Sequence, residues 1–539
     1  MMLRIDSPLL RSAALGAALL AGMPASAGQE AWQREVLVPG SPLRGIHGLA
    51  FGPDGMIHVG SVMGKALYRV DPETGASEVL VPPPQGEADD VEFGPDGTMY
   101  WTGFSQGTMN ARAPDGTLRV LGRGLPGLNS LALDARGRLF GTQVFLGDAL
   151  WEFDTTGQRE PRLVRRDLGG LNGFDFGPDG RLCGPLWFRG QIVCIDVDGG
   201  ALEVVAEGMT QPAAANFDSR GRLFAIDNET GEIFRIDTAS GRRELVATAP
   251  ANLDNLAFST DDRLFVTNMA DNAIYEVDLD GGAVRTVLSS PLTLPAGIAV
   301  SGPTLYVADT FSIAAVDLAS GRVGDVSRSL NDSGFPLLAG AAGTRLATAS
   351  PESGILQLRD TATAAVVARW SPLARPRALA MPDPGHVVVA EAADGGRLVL
   401  LDAQDVNARR VLASGFDEPG GLAMTRDGYA LTESAAGRVV LLGNDGSRRA
   451  LASGLARPEG IAALSDGTLA IAETGKHRLV LLDPRTGDID TIADDLPLGI
   501  AGLADHTTGG ALTGVAVDAD DAIYLSVDRD GSILRLRRD

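Results

Sequence analysis

The chain has 539 residues, of which 68 are Gly and only 5% aromatic, and 69 acidic groups against 46 basic ones leave a formal charge of −23. That length exceeds what one compact core holds, and so negative a surface repels phosphate backbones and anionic lipid, which argues against nucleic acid as a partner. Beyond the N-terminus no segment reaches the roughly 18 consecutive apolar residues of a membrane helix.

In chain order, the first element is an export leader. Arg4 and Arg11 give a positive start, Ala13 to Met23 a short apolar stretch, and Ala25-Ser26-Ala27 a small-residue cleavage site. Residues 1–27 are therefore read as a signal peptide, and the mature protein as periplasmic or secreted, with no membrane span once the leader is removed. Next, residues 28–42 carry the stretch Glu35 to Pro39, which matches the outer-strand sequence Glu78 to Pro82.

From Gly48 onward a motif of alternating apolar residues ending in Asp-Gly or a similar turn recurs at intervals of about forty residues, as in Gly48 to Gly55, Gly173 to Gly180 and Gly460 to Gly467. Each unit reads as four short strands. In the fifth these are Ala213 to Phe217, Leu223 to Asp227, Glu232 to Asp237 and Arg243 to Ala247, separated by turns such as Asp218 to Gly221. The residues just before the inner strands are His47, Asp89, Asn129, Asn172, Ala213, Asp254, Ala296, Leu337, Arg377, Gly420, Glu459 and Thr513, which makes twelve units. The interval before Thr513 is the longest and contains His506. Propellers hold about four to eight blades, so the fold is read as all-β: two six-bladed β-propellers in tandem, with twelve four-stranded blades over residues 43–291 and 292–539. The last unit has no fourth strand of its own, so the segment at residues 28–42 is expected to complete it.

Cys183 and Cys194, the two cysteines, fall on the second and third strands of unit four. Opposed residues of antiparallel strands lie within disulfide reach, and export permits oxidation, so a cross-strand disulfide is expected.

In a propeller the starts of the inner strands and the ends of the second strands converge at one mouth of the central channel, a concave setting suited to a ligand. In the first ring Asp89, Asn129, Asn172 and Asp254 offer oxygen ligands to a divalent cation, calcium, magnesium or zinc. His47 and Asp254 are the candidate proton carriers. Gln143, Asp227 and Asn268 end second strands behind them, and Trp187 and Arg189 sit on an overhanging loop, completing a candidate substrate-binding set. The second ring has no such cage. Its Asp309, Glu391, Glu433 and Glu473 are read as caps for the turn to strand three, and Arg377 as a partner for Glu391 or Glu459. His58 is read as packing between strands.

The units resemble the six-bladed propellers of the gluconolactonase and senescence-marker-protein-like superfamily, the NHL repeats and streptogramin B lyase, most clearly in Leu171 to Gly180 and Ala472 to Arg478. The likeness spans nearly the whole mature chain at the level of its repeats. For gluconolactonase-like enzymes it implies a cation held by Glu, Asn and Asp at inner-strand starts. Asn172 matches the Asn, but His47 replaces the Glu and Ala213 the Asp. The lyase pattern of a His on one strand and a Glu ending the next is absent, since His47 faces Ser61. The resemblance implies a metal-dependent lactonase- or esterase-like hydrolase of a small polar molecule. The other reading is a non-catalytic scaffold for an envelope protein, peptide or glycan.

Overall fold

The computed structural model of the chain describes residues 32–41, 43–328, 334–393, 395–499 and 513–538. The expected export leader at residues 1–27, and His506 with most of the long interval before Thr513, lie outside the described residues. Within them the chain forms twelve four-stranded antiparallel sheets. Unit five shows the match with sequence: its strands are Pro212–Phe217, Leu223–Asp227, Glu232–Ile236 and Arg243–Thr248.

Two closed rings of six blades result. The inner strand of blade 1, Ile46–Phe51, packs against that of blade 2 on one side and against Leu253–Phe258 of blade 6 on the other. Likewise Ile298–Ser301 of blade 7 packs against Val515–Val517 of blade 12. The cores lie between blades, because each sheet buries both faces against its neighbours. One cluster joins Leu49, Val59 and Tyr68 of blade 1 to Phe265 and Ile274 of blade 6. Another joins Leu305 and Val316 of blade 7 to Tyr524 and Ile533 of blade 12. Asp-Gly turns punctuate the strands: Gly55 adopts φ +74, the left-handed region where glycine bears no Cβ penalty, while Asp54 Oδ1 accepts the Met56 N–H at 3.1 Å.

Blade 12 is completed from the far end of the chain. Trp32–Val38 pairs antiparallel with Ile533–Arg538, placing Trp32 opposite Arg538 and Glu35 opposite Arg535. Arg535 is paired with Glu35 and donates to the Leu318 carbonyl of blade 7 at 2.5 Å. Val38 is fully buried in the cluster joining blades 12 and 7. The added strand covers what would otherwise be an open edge.

Cys183 and Cys194 face each other across blade 4 and form a disulfide, with Cα atoms 4.1 Å apart.

The rings touch at their mouths. Met63, just past the second strand of blade 1, packs on Ala296 and Leu337, which precede inner strands of the second ring. Met269, Ala270, Phe311 and Phe335 form an apolar cluster beside it. Polar ties frame this contact: Thr293 Oγ1 donates to the Met269 carbonyl at 2.8 Å, and Arg328 pairs with Asp271 at 2.5 Å.

Candidate functional site

Backbone irregularity aims the mouth residues. The ladder of blade 1 slips between Ile46 and Leu49, that of blade 3 between Leu128 and Leu131, and that of blade 6 between Leu253 and Leu256. His47, Asn129 and Asp254 sit in these bulges. An unpaired residue in a bulge has its side chain re-aimed away from the sheet face, here toward the ring axis. Gly48, next to His47, is required by close approach: a Cβ there would lie 2.1 Å from Asp90 Oδ1.

The structure brings His47, Asp89 and Asp254 together. His47 Nδ1 lies 3.4 Å from Asp254 Oδ2 and 4.0 Å from Asp89 Oδ2. Its other nitrogen, Nε2, is buried and has no hydrogen-bond partner among the described residues. The ring meets Phe311 of the second ring edge-on, with centroids 5.6 Å apart. Burial lowers the proton affinity of the imidazole, but contact with Asp254 and the charges of Asp89 and Asp90 outweigh it, and the His47 pKa is raised. Burial pushes the Asp89 carboxyl up to about 7 against the opposing pull of His47.

Asn129 and Asn172 form a second group. Ser130 Oγ lies 2.7 Å from Asn129 Oδ1 and 3.1 Å from Asn172 Oδ1, so one hydroxyl proton serves two amide oxygens. Both asparagines are buried, and each amide oxygen keeps a free lone pair.

The remaining sequence candidates serve structure. Gln143 donates to the Pro126 carbonyl at 2.9 Å and accepts the Trp151 indole N–H at 2.8 Å. Asp227 accepts the N–H groups of Thr210, Gln211, Glu229 and Thr230. Asn268 donates to the carbonyls of Pro250 and Ala251. These side chains satisfy loop backbone that has no ladder partner, so their hydrogen-bonding capacity is largely committed. Trp187 is buried between blades 4 and 5 and edge-on to Phe145. Arg189 lies along Gly169 and donates to the Asp167 carbonyl at 3.5 Å.

In the second ring the capping acids behave similarly, with one change of partner. Glu391 accepts the Ala374 N–H, Glu433 that of Asp417, Glu473 that of Ala456, and Asp309 those of Thr293 and Leu294. Each fixes the loop entering its own blade, and two also tie the turn to strand three: Glu473 pairs with Lys476 at 3.1 Å, and Asp309 bonds the Ser312 side chain. Glu391 spends its other oxygen on Arg397 at 2.6 Å, and Arg377 is paired with neither Glu391 nor Glu459. His58 packs edge-on against Phe93, at 4.8 Å.

Two contributors escape a reading of repeats. Asp90 follows Asp89 and accepts the Leu131 N–H at 3.4 Å, and burial raises its pKa well above the ordinary aspartate value. The Asp-Asp doublet was the available signal. Below the mouth, a cavity of about 260 Å³ is lined by Asp90, Glu92, Asp175, Asn216 and Asn255. Phe311 comes from the other ring, and no feature of the first ring's repeats announces it.

Whether the mouth suits a divalent cation is tested by its donors. Asp89 and Asp254 both direct a carboxylate oxygen toward His47 Nδ1, at 4.0 and 3.4 Å. Hard oxygen donors of this kind suit calcium or magnesium. Among the described residues, however, no three His, Cys, Asp or Glu side chains converge as a complete metal site, so a cation would need the amide oxygens of Asn129 and Asn172 as well. No helix of the described residues is long and apolar enough to cross a membrane.

No protein-family model matches the chain, and no curated protein matches it. Among solved structures, a structural-genomics protein described as a gluconolactonase is 14% identical, with a TM-score of 0.39 over 47% of this chain and 93% of its own. A calcium-binding protein, regucalcin, from Agrobacterium tumefaciens is 18% identical, with a TM-score of 0.36 over 44% of this chain and 86% of its own. Each likeness spans less than half of this chain.

Proposed function

We propose that the first ring's mouth is an acid–base site that hydrolyses a small polar carbonyl compound, of the lactone or ester class. The observation that carries this reading is the state of His47: one ring nitrogen faces two carboxylates and the other is buried and free. A carboxylate at Nδ1 favours the tautomer with its proton there, leaving the Nε2 lone pair to take a proton from an attacking water. Asp254 then stabilises the imidazolium that forms, in the manner of the acid in a catalytic triad. Phe311 covers the imidazole edge-on and limits its contact with bulk water, which strengthens these charge interactions. A divalent cation held by Asp89 and Asp254 with the amide oxygens of Asn129 and Asn172 would, when bound, polarise the substrate carbonyl. The Cys183–Cys194 disulfide suits an oxidising compartment and so supports an exported protein.

The test is turnover of a panel of lactones and small esters, with and without added calcium, magnesium or zinc. Replacing a general base typically costs about 10²- to 10⁴-fold in rate, so His47→Asn is expected to lower kcat by that order, and Asp254→Asn to lower it with an altered pH profile. Circular dichroism checks that both variants fold. Equal turnover in wild type and His47→Asn contradicts the assignment, and absence of turnover across the panel favours the scaffold reading.

A further inference from the structure

The mouth of the second ring holds a cation, Arg377, that makes no ion pair with any of the described residues. Arg377 lies in the bulge between Pro376 and Ala378 at the start of the inner strand of blade 9. It lines a narrow channel of about 80 Å³ together with Leu337, Gly420 and Thr513. Its Nε is buried without a hydrogen-bond partner. Burial lowers its proton affinity, and the nearby charges include Arg375 and Arg457 as well as Glu418 and Glu459.

Thr513 adds a second unmet donor. It is 1% exposed, and its hydroxyl in the same channel has no partner. The backbone N–H of Thr513 is already taken by Glu459 at 3.4 Å, and Glu459 is held in turn by the Thr474 hydroxyl at 3.2 Å and by Arg457 at 3.7 Å. Glu459 is thus turned toward these groups, and Glu391 toward Arg397. A charged donor and a hydroxyl left unsatisfied in one channel are costly unless an acceptor arrives.

We propose that the second ring's mouth binds the carboxylate end of a small molecule, with the Arg377 guanidinium and the Thr513 hydroxyl as donors. A guanidinium fork matches a carboxylate in two parallel hydrogen bonds. With Glu459 already paired to Arg457, the half-buried Arg377 matches one negative charge better than the two of a phosphate. The channel, about 80 Å³, is well below the roughly 300 Å³ of a pocket that encloses a whole ligand, so it takes the head group alone and leaves the rest of the molecule outside it.

Isothermal titration of the full chain with acetate and propionate, at fixed ionic strength and with phosphate as comparison, tests this. The expected result is saturable binding of both acids, with phosphate weaker. Arg377→Gln lowers the affinity on the order of tenfold or more, and Thr513→Val, which preserves shape, lowers it by a smaller factor. No saturable binding of either acid, phosphate binding as tightly as acetate, or unchanged affinity in Arg377→Gln would overturn the proposal. If Arg377→Gln fails to fold, Thr513→Val decides alone: unchanged affinity there rejects the site.

Discussion

The two rings share one backbone plan and differ most where it is least regular. At the bulges that open the inner strands, the first ring places His47, Asn129 and Asp254, and the second Arg377, Gly420 and Glu459. One mouth collects carboxylates around an imidazole, and the other keeps an unpaired guanidinium in a narrow, glycine-lined channel. Bulge residues stand outside the regular ladder pairing, so their side chains can vary with less cost to the sheets than those of paired positions. Chemistry can therefore diverge at the mouths while blade cores remain interchangeable.

The rings also differ in how they close. The first is sealed by contact between blades 1 and 6, each built from consecutive strands, whereas the second needs Trp32–Val38 from the other end of the chain. The largest expected effect in either ring follows from this. Deleting everything before Pro39 should expose the Ile533–Arg538 edge and abolish cooperative unfolding of the second ring while the first still melts as a unit. Limited proteolysis with scanning calorimetry would show it, and two intact transitions would refute the closure argument. A smaller effect separates blade 4 from its neighbours. The disulfide closes a loop between residues 11 apart in sequence, and replacing both cysteines by alanine should cost about 3 kcal/mol or less in denaturant unfolding. No change would mean that inter-blade packing alone holds that blade.

Most of the architecture was legible in sequence because strand periodicity, Asp-Gly turns and repeat length are local properties. The twelve blades, the final strand from Trp32–Val38 and the pairing of Cys183 with Cys194 all follow from aligning units. The convergence of His47, Asp89 and Asp254 was legible too, since ring geometry brings blades 6, 1 and 2 side by side. What the units do not encode is competition for hydrogen bonds. Gln143, Asp227 and Asn268 look like ligands in an alignment, yet loop backbone groups claim them first. Nor do the units encode contact between rings, so Phe311 against His47 and Met63 against Leu337 emerge only from tertiary structure.

In the proposed mechanism His47 carries the proton under the control of its carboxylate neighbours. Its raised pKa means that its contribution to stability is fully present below the ordinary histidine value and is lost as pH rises through the folded-state value. The most direct test is an NMR pH titration of the His47 imidazole in the wild type and in Asp254→Asn. The account predicts titration above the ordinary histidine range in the wild type, with a clear fall in the variant as the opposing effect of burial takes over. An imidazole that titrates at the same pH in both proteins would contradict it.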